Sequence, residues 1–175
     1  MMDRLWAPWR MEYIRGDKEK GCIFCKKPKG KDDRESLILA RGDQSFVLMN
    51  LFPYNNAHLK IGPYKHVGTT NELEQRSLNE IMWFANRSMT IMKKNINSEG
   101  FNFGSNIGVA GGAGIVDHIH FHVVPRWIGD TNFMPVVGKT KVQVQDLQET
   151  YDELKPPFDL LDRKSTRLNS SHALI

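Results

Sequence analysis

Three of the six histidines in this 175-residue chain lie at alternate positions within one short segment. The segment reads DHIHFHVVPRW over residues 117–127, so His118, His120 and His122 alternate with apolar residues. Side chains at every second position share one face of a β-strand, which rises about 3.3 Å per residue. The pattern therefore predicts a half-buried strand with a row of imidazoles on one face and apolar side chains behind them.

A row of imidazoles leaves two kinds of chemistry open. Neutral imidazoles at this spacing can ligate a metal such as Zn²⁺. Alternatively, one imidazole is a nucleophile, while its neighbours orient it and bind an anion. The glycine-rich segment at residues 104–114 lies just before the row, and successive backbone N–H groups in such loops form anion-binding concavities. This combination favours a phosphate bound above an imidazole nucleophile.

The segment from His118 to Val124 matches the motif of the histidine triad (HIT) family, His-φ-His-φ-His-φ-φ with φ apolar, at all seven positions. The chain closely resembles this family over about residues 4–140. The segments LWAPWRMEYI at residues 5–14 and VPRWIGDTNFM at residues 124–134 are similar to the bacterial branch of diadenosine tetraphosphate phosphorylases.

The resemblance implies a two-step nucleotidyl transfer. The middle histidine, His120, attacks the α-phosphate of a nucleotide, and water or orthophosphate then releases the nucleotidyl-histidine intermediate. His122 is expected to contact the phosphate, and His118 to orient the site or ligate a metal. A neutral imidazole, with an unperturbed pKa of about 6.5, is a usable nucleophile at neutral pH.

The implied substrate is a purine nucleotide or dinucleotide, and the leading prediction is phosphorolysis of dinucleoside polyphosphates such as diadenosine tetraphosphate. The alternative is a hydrolase of nucleoside phosphoramidates or dinucleoside polyphosphates with water as acceptor. A nucleotide-binding protein without catalysis and a triple-histidine metal hydrolase also remain open. Many HIT proteins carry Gln-Ser or Gln-Thr just before the triad, and Ala113, Gly114 and Ile115 replace it here, which counts against simple phosphoramidate hydrolysis.

The same resemblance implies a nucleotide pocket. Asn50 is expected on the ribose hydroxyls, because its amide both donates and accepts, and His58 is expected near the catalytic row. Without the resemblance, Asn50 would be a turn residue and His58 a core histidine. The apolar residues expected around the base are Ile23, Phe24 and Leu48. The phosphate-loop positions are Asn106, Ala113 and Gly114. Trp127 either shapes the acceptor site or packs at the end of the strand.

The only two cysteines, Cys22 and Cys25, form one Cys-x-x-Cys pair, which supplies half of a tetrahedral zinc site. A redox dithiol would suit a βαβ context that is not predicted here, and a disulfide is disfavoured in a cytoplasmic protein. In zinc-bearing HIT relatives the other ligands are a histidine before the long helix and the first triad histidine, here His66 and His118. We expect one structural zinc with no open position for catalysis.

The alternating and amphipathic patterns predict an α+β fold, and the HIT resemblance implies a five-stranded antiparallel sheet with one long helix and a short C-terminal helix. Strands are expected at residues 36–40, 45–50, 57–62, 101–107 and 118–125. The long helix is expected at residues 71–95 with Thr70 or Asn71 as its cap. The short helix is expected at residues 144–154, ended by Pro156.

The chain is expected to be one domain with an N-terminal arm at residues 1–21, a HIT domain at 22–158 and a tail at 159–175, whose polar end from residue 163 resembles vector sequence. A net charge of +4 favours anionic substrates mildly and does not indicate nucleic acid binding. The sequence shows no apolar run of the ~20 residues that span a membrane and no signal peptide, so a cytoplasmic location is expected. The resemblance implies a homodimer.

Overall fold

The computed structural model describes residues 21–131 and 145–171, with residues 162–171 as backbone only. The predicted N-terminal arm up to residue 20, the predicted start of the last helix at residue 144 and the end of the tail lie outside these residues. The helices are α1 (Ile23–Lys26), α2 (Asp33–Ser36), α3 (Gln75–Asn95) and α4 (Leu147–Ser171). The strands are β1 (Ile38–Arg41), β2 (Ser45–Met49), β3 (Leu59–Pro63), β4 (Gly100–Gly104) and β5 (Phe121–Arg126). Short 3₁₀ turns lie at Lys27–Lys29 and Thr70–Glu72.

The strands form one five-stranded sheet in the order β1-β2-β3-β5-β4. Every neighbouring pair is antiparallel. Strands β1, β2 and β3 are neighbours in the sheet in the order in which they occur along the chain. Helix α3, strand β4 and the glycine-rich segment follow in sequence, and the last strand, β5, lies between β3 and β4 in the sheet. This arrangement confirms the α+β prediction and the five antiparallel strands.

The two faces of the sheet have different neighbours. Because side chains alternate along a strand, β3 directs Leu59 and Ile61 into the core beneath α3 and α4, and directs Lys60 and Gly62 to the opposite face. The helix-side core is large and includes Val47, Met49, Phe84, Met92, Val123, Leu154 and Phe158. A smaller apolar cluster on the other face contains Phe24, Ile38, Phe46 and Leu48. The triad lies on this second face.

The triad segment is less regular than the sequence predicts. Strand β5 begins at Phe121, so His118 and His120 precede it, although the predicted strand began at residue 118. The preceding residues bond to loops rather than to a strand: the Ile119 N–H donates to the Val67 carbonyl at 2.6 Å. Likewise, the Ser105 hydroxyl donates to the His120 carbonyl at 2.7 Å. Strand β4 ends at Gly104 rather than at the predicted residue 107, because its ladder with β5 stops at that residue.

The long helix begins later than predicted. Thr69 and Glu72 form a capping box around a separate 3₁₀ turn, and Leu73 is extended, so the helix restarts at Gln75. The predicted cap at Thr70 or Asn71 is therefore wrong, and Glu74 precedes α3 without a side-chain cap bond.

The last helix does not end at Pro156, as the sequence predicts, but continues through Pro156 and Pro157 to Ser171. A proline inside a helix removes a hydrogen bond and crowds the preceding turn. Packing offsets this cost, because Leu154 and Phe158 on either side of the prolines are fully buried. Tyr151 also donates its hydroxyl to the Ile38 carbonyl at 3.1 Å, which fixes the helix to β1. Within the described residues, no helix is long and apolar enough to cross a membrane.

The Glu80 carboxylate of α3 holds the turn between β1 and β2. It accepts hydrogen bonds from the Asp43 and Gln44 N–H groups, each at 2.9 Å, and from the Ser45 hydroxyl at 2.6 Å. One side chain thus satisfies three donors of the hairpin and joins the helix layer to the sheet.

Replacing Glu80 with alanine should lower the free energy of unfolding by about 1–3 kcal/mol, because charge-assisted hydrogen bonds to the hairpin are lost. The measurement is urea denaturation followed by circular dichroism. Asn86→Ala, an exposed change on the same helix, is the control and should stay within about 0.5 kcal/mol of the parent. Equal stabilities of the two variants would show that Glu80 does not hold the turn.

Candidate active site and metal site

Two cysteines and two histidines meet at one edge of the triad segment. One ligand atom from each of Cys22, Cys25, His66 and His118 lies within 4.8 Å of all the others. The His118 Nδ1 atom lies 3.2 Å from the Cys22 Sγ and 3.1 Å from the His66 Nδ1. The Cys25 Sγ lies 3.3 Å from the His66 Nδ1 and 3.6 Å from the His118 Nδ1. These are the spacings expected of a tetrahedral site with bonds of about 2.0–2.3 Å.

Hydrogen bonds to the backbone determine how the thiols of this cluster are directed and which nitrogen of His118 is free to bind a metal. The N–H of Cys25 donates to the Cys22 carbonyl at 3.1 Å at the start of α1, which turns both thiols to the same side. The His118 Nε2–H donates to the Pro63 carbonyl at 2.9 Å, so its Nδ1 carries the lone pair. A second hydrogen bond of this kind is usual for histidines that ligate metals. Burial, followed by the neighbouring Cys22, raises the pKa of the Cys25 thiol, and a bound cation would favour the thiolate.

The middle histidine is buried and has a defined tautomer. The His120 Nδ1–H donates to the His118 carbonyl at 3.0 Å, which leaves the lone pair on Nε2. The Phe24 ring stacks on the His120 ring with 4.5 Å between centroids. Burial lowers the pKa of His120 to about 4, so the imidazole is neutral at pH 7. A neutral imidazole with its lone pair on a fixed atom has the properties of a nucleophile.

The third histidine receives a hydrogen bond from His58. The Tyr54 N–H donates to the His58 Nδ1 at 3.1 Å, so the proton of a neutral His58 lies on Nε2. That Nε2 lies 2.9 Å from the His122 Nδ1 and donates to it. The proton of a neutral His122 is therefore on its Nε2, and the centre of the His122 ring lies 5.0 Å from that of His120. The arrangement brings together the ring of His120, with its lone pair on Nε2, and the ring of His122, with a donor on Nε2.

The loop between β2 and β3 holds His58 in this position. The buried Asn50 directs its Nδ2 to the Phe52 carbonyl at 2.8 Å and to the His58 Nδ1 at 3.1 Å. The backbone closes the loop, since the Asn50 N–H donates to the His58 carbonyl at 2.8 Å. Asn50, predicted on the ribose, thus contacts the loop and His58 in this structure.

A carboxylate after β5 fixes the same loop. The Asn55 Nδ2 donates to Asp130 at 2.8 Å and to the Pro125 carbonyl at 3.1 Å. Asp130 accepts two hydrogen bonds from the guanidinium of Arg126, at 2.7 and 2.8 Å, which hold the pKa of its carboxyl far below the usual range. The sequence analysis missed this ion pair. The spacing of four residues between an arginine and an aspartate was the available signal.

The residues predicted around the base lie together. Phe24 and Leu48 belong to the smaller apolar cluster, and Ile23 packs against it. Phe24 has no exposed surface and Leu48 only 2%, so they form the floor beneath the histidines. Ile23 is the partly exposed member of the three.

The glycine-rich segment folds on itself beside the triad. The Asn106 Nδ2 donates to the Gly112 carbonyl at 3.2 Å, and the Ala113 N–H donates to the Gly108 carbonyl at 3.2 Å. Gly108 and Gly112 have φ values of +72° and +79°, which glycine adopts without strain. Gly114 follows on the exposed side of this loop.

Trp127 lies away from the other predicted residues. It follows the end of β5, whereas His120 precedes the start, a separation of about 20 Å along an extended chain. Its Nε1–H donates to the Ile96 carbonyl at 3.3 Å. This placement favours packing at the end of the strand, the second of the two readings that the sequence left open.

Lys60 on β3 was not singled out from the sequence. It lies opposite His122 in the ladder between β3 and β5. Its ammonium is 5.7 Å from the centre of the Phe24 ring. The available signal was the alternation of β3, which places residue 60 on the same face as residue 58.

Comparisons with known proteins agree with this geometry. The family model described as "HIT domain" matches residues 31–127. The chain is 35% identical over 158 residues to a Mycobacterium tuberculosis protein named AP-4-A phosphorylase, covering 85% of this chain and 80% of that one. It is 30% identical over 109 residues to the adenosine 5′-monophosphoramidase HNT1 of Candida albicans, covering 60% and 70% of the two chains.

A solved structure shows the same fold. The Zn-bound histidine triad family protein of Mycobacterium smegmatis superposes with a TM-score of 0.66 at 21% identity, over 82% of this chain and 97% of that one. The matching model, the relative at 35% identity and the intact triad agree: the chain belongs to the HIT family.

Proposed function

We propose that this chain is a nucleotidyltransferase whose intermediate forms on His120, and that its reaction is phosphorolysis of dinucleoside polyphosphates such as diadenosine tetraphosphate. One observation supports this most strongly: the neutral His120 carries its lone pair on Nε2, and its ring centre lies 5.0 Å from that of His122, whose Nε2 carries a proton. The relative named AP-4-A phosphorylase supports the choice of substrate.

In the first step, the His120 Nε2 attacks the α-phosphorus of the substrate. A nitrogen–phosphorus bond forms, and the bond from phosphorus to the bridging oxygen breaks, so that ATP leaves with the electron pair. His122 donates its Nε2–H to a phosphate oxygen in the transition state, where a preorganised donor has the largest effect. Because His58 fixes the tautomer of His122, this donor is in place before the substrate arrives.

In the second step, an oxygen of orthophosphate attacks the same phosphorus. The nitrogen–phosphorus bond breaks, its electron pair returns to the His120 Nε2, and ADP is released. The neutral imidazole is restored without a net proton transfer. Asn106, Ala113 and Gly114 contribute to the phosphate site through the folded glycine-rich loop, whose backbone N–H groups supply donors where other sites use side chains.

The His120→Ala variant should lose at least about 10³-fold in turnover of diadenosine tetraphosphate, because it has no nucleophile. The measurement is steady-state product analysis by chromatography, together with acid-free detection of a phosphoramidate-linked nucleotide on the wild-type protein. Circular dichroism and retained AMP binding are the controls for folding. Turnover within about threefold of the wild type would exclude the covalent mechanism.

Product analysis with and without orthophosphate should identify the acceptor. We expect ADP and ATP in amounts that rise with orthophosphate, because phosphate competes for the intermediate on His120. Formation of AMP and ATP regardless of phosphate would make water the acceptor and favour the hydrolase alternative. The relative named a monophosphoramidase makes adenosine phosphoramidate the next substrate to test.

We also propose that the four-residue cluster binds one structural zinc ion through Cys22, Cys25, His66 and His118. The support is the ligand set and its spacing, together with the hydrogen bond that frees the His118 Nδ1 for coordination. Four protein ligands fill a tetrahedral site. The ion would therefore join α1, the residues before the 3₁₀ turn and the triad segment, without taking part in the reaction.

Chelation should lower the melting temperature of the wild-type protein by about 5 °C or more, because metal binding free energy contributes to folding. Differential scanning calorimetry before and after dialysis against a chelator measures the shift, and elemental analysis should give one zinc per chain. The Cys22→Ser/Cys25→Ser double variant is the control, and chelator should leave its melting temperature unchanged. Wild-type protein that is purified without chelator and contains no metal would refute the site.

Pairing of two copies through β4 is a further part of the proposal. Strand β4 is at the edge of the sheet, and its Phe103 is 37% exposed while stacking on Phe121 at 5.9 Å. An edge strand offers backbone donors and acceptors to another strand. These two features support a homodimer in which β4 pairs with its copy.

A further inference from the structure

Lys60 has a central position on the face of the sheet that carries the triad. The ladders place Leu48 opposite Lys60 on one side and His122 opposite Lys60 on the other. Side chains at directly opposed positions of antiparallel strands project to the same face. Lys60 therefore lies between an apolar residue predicted at the base and the histidine that is predicted at the phosphate.

The end of the Lys60 side chain lies over the aromatic ring that stacks on His120. Its Nζ is 5.7 Å from the centre of the Phe24 ring, and that ring stacks on His120 at 4.5 Å. Phe24 is completely buried, so the ammonium lies over the floor of the site. Lys60 itself is only partly buried, so a bound substrate can reach it.

Two imidazoles share the face of the sheet that carries Lys60. His58 precedes Lys60 by two residues on the same face, and His122 is directly opposite Lys60 in the ladder between β3 and β5. An ammonium on this face contributes a positive potential where the phosphates of the substrate must bind. A phosphorus atom within attacking distance of His120, about 3–3.5 Å, brings its anionic oxygens into this field.

We propose that Lys60 binds the phosphate chain of the substrate and makes the site selective for polyphosphates over nucleotides that carry less charge. This inference rests on the proposed function, because the phosphate that Lys60 contacts is the one that His120 attacks or its neighbour in the chain. A lysine ammonium binds phosphate as a compact charge with rotatable donors. It can therefore contact more than one oxygen along a polyphosphate.

The test compares affinities for AMP and adenosine in the wild type, Lys60→Met and Lys60→Arg, measured by isothermal titration calorimetry. Methionine keeps the length and apolar stem of lysine and removes only its charge. We expect Lys60→Met to weaken AMP binding about tenfold or more and to leave adenosine binding unchanged, because only AMP carries phosphate. Lys60→Arg should keep AMP affinity within about threefold of the wild type.

A matched control removes a positive charge elsewhere. Lys93 lies in the exposed last turn of α3, and Lys93→Met should leave the affinities for AMP and adenosine unchanged. In turnover, Lys60→Met should lose more kcat/KM for diadenosine tetraphosphate than for adenosine phosphoramidate, since the former has more negative charge. Equal losses on both substrates would contradict the selectivity.

The outcomes separate this proposal from the proposed function. Lys60→Met with wild-type AMP affinity, or with equal losses for AMP and adenosine, overturns the role of Lys60, whether or not the wild type is active. A selective loss of AMP affinity in a wild type that does not turn over diadenosine tetraphosphate retains Lys60 as a phosphate-binding residue and refutes the transfer reaction. A wild type without affinity for AMP overturns both.

Discussion

The hydrogen bond from His120 to the backbone carbonyl of His118 connects the two halves of the site. His118 directs its Nδ1 into the Cys/His cluster and fixes its Nε2 on the Pro63 carbonyl. The same residue thus joins the cluster with its side chain and orients the His120 imidazole with its backbone. A change in the cluster that moves His118 also moves the acceptor that keeps the His120 lone pair on Nε2.

The orientation of protons in the site depends mainly on backbone groups. The Tyr54 N–H sets the tautomer of His58, and the carbonyl of His118 sets that of His120. Backbone groups in closed loops have little conformational freedom. The imidazoles therefore lose their conformational entropy when the chain folds and not when a substrate binds. This explains why the loop from residue 50 to 58 is tied to β5 through Asn55 and Asp130.

The sequence predicts those parts of the molecule that depend on local pattern. The alternating histidines, the five strands and the Cys-x-x-Cys pair follow from spacing, and the structure brings all four predicted metal ligands together. Features that depend on distant contacts were not predictable. Helix α4 passes Pro156 because of core packing, and α3 starts late because Thr69 and Glu72 form their own turn. The site roles, the dimer and the cytoplasmic location stay predictions.

The position of Lys60 depends partly on local sequence pattern and partly on distant contacts. Strand alternation alone places it on the triad face, but only the register against β2 and β5 shows that it lies between Leu48 and His122. Alternation also explains why a cation is tolerated there. The opposite face of β3 carries Leu59 and Ile61 into the core, where an ammonium would lose its hydration. A shift of one residue in register would bury the charge and expose the core, so the packing of Leu59 and Ile61 fixes Lys60 on the face of the sheet that carries the triad.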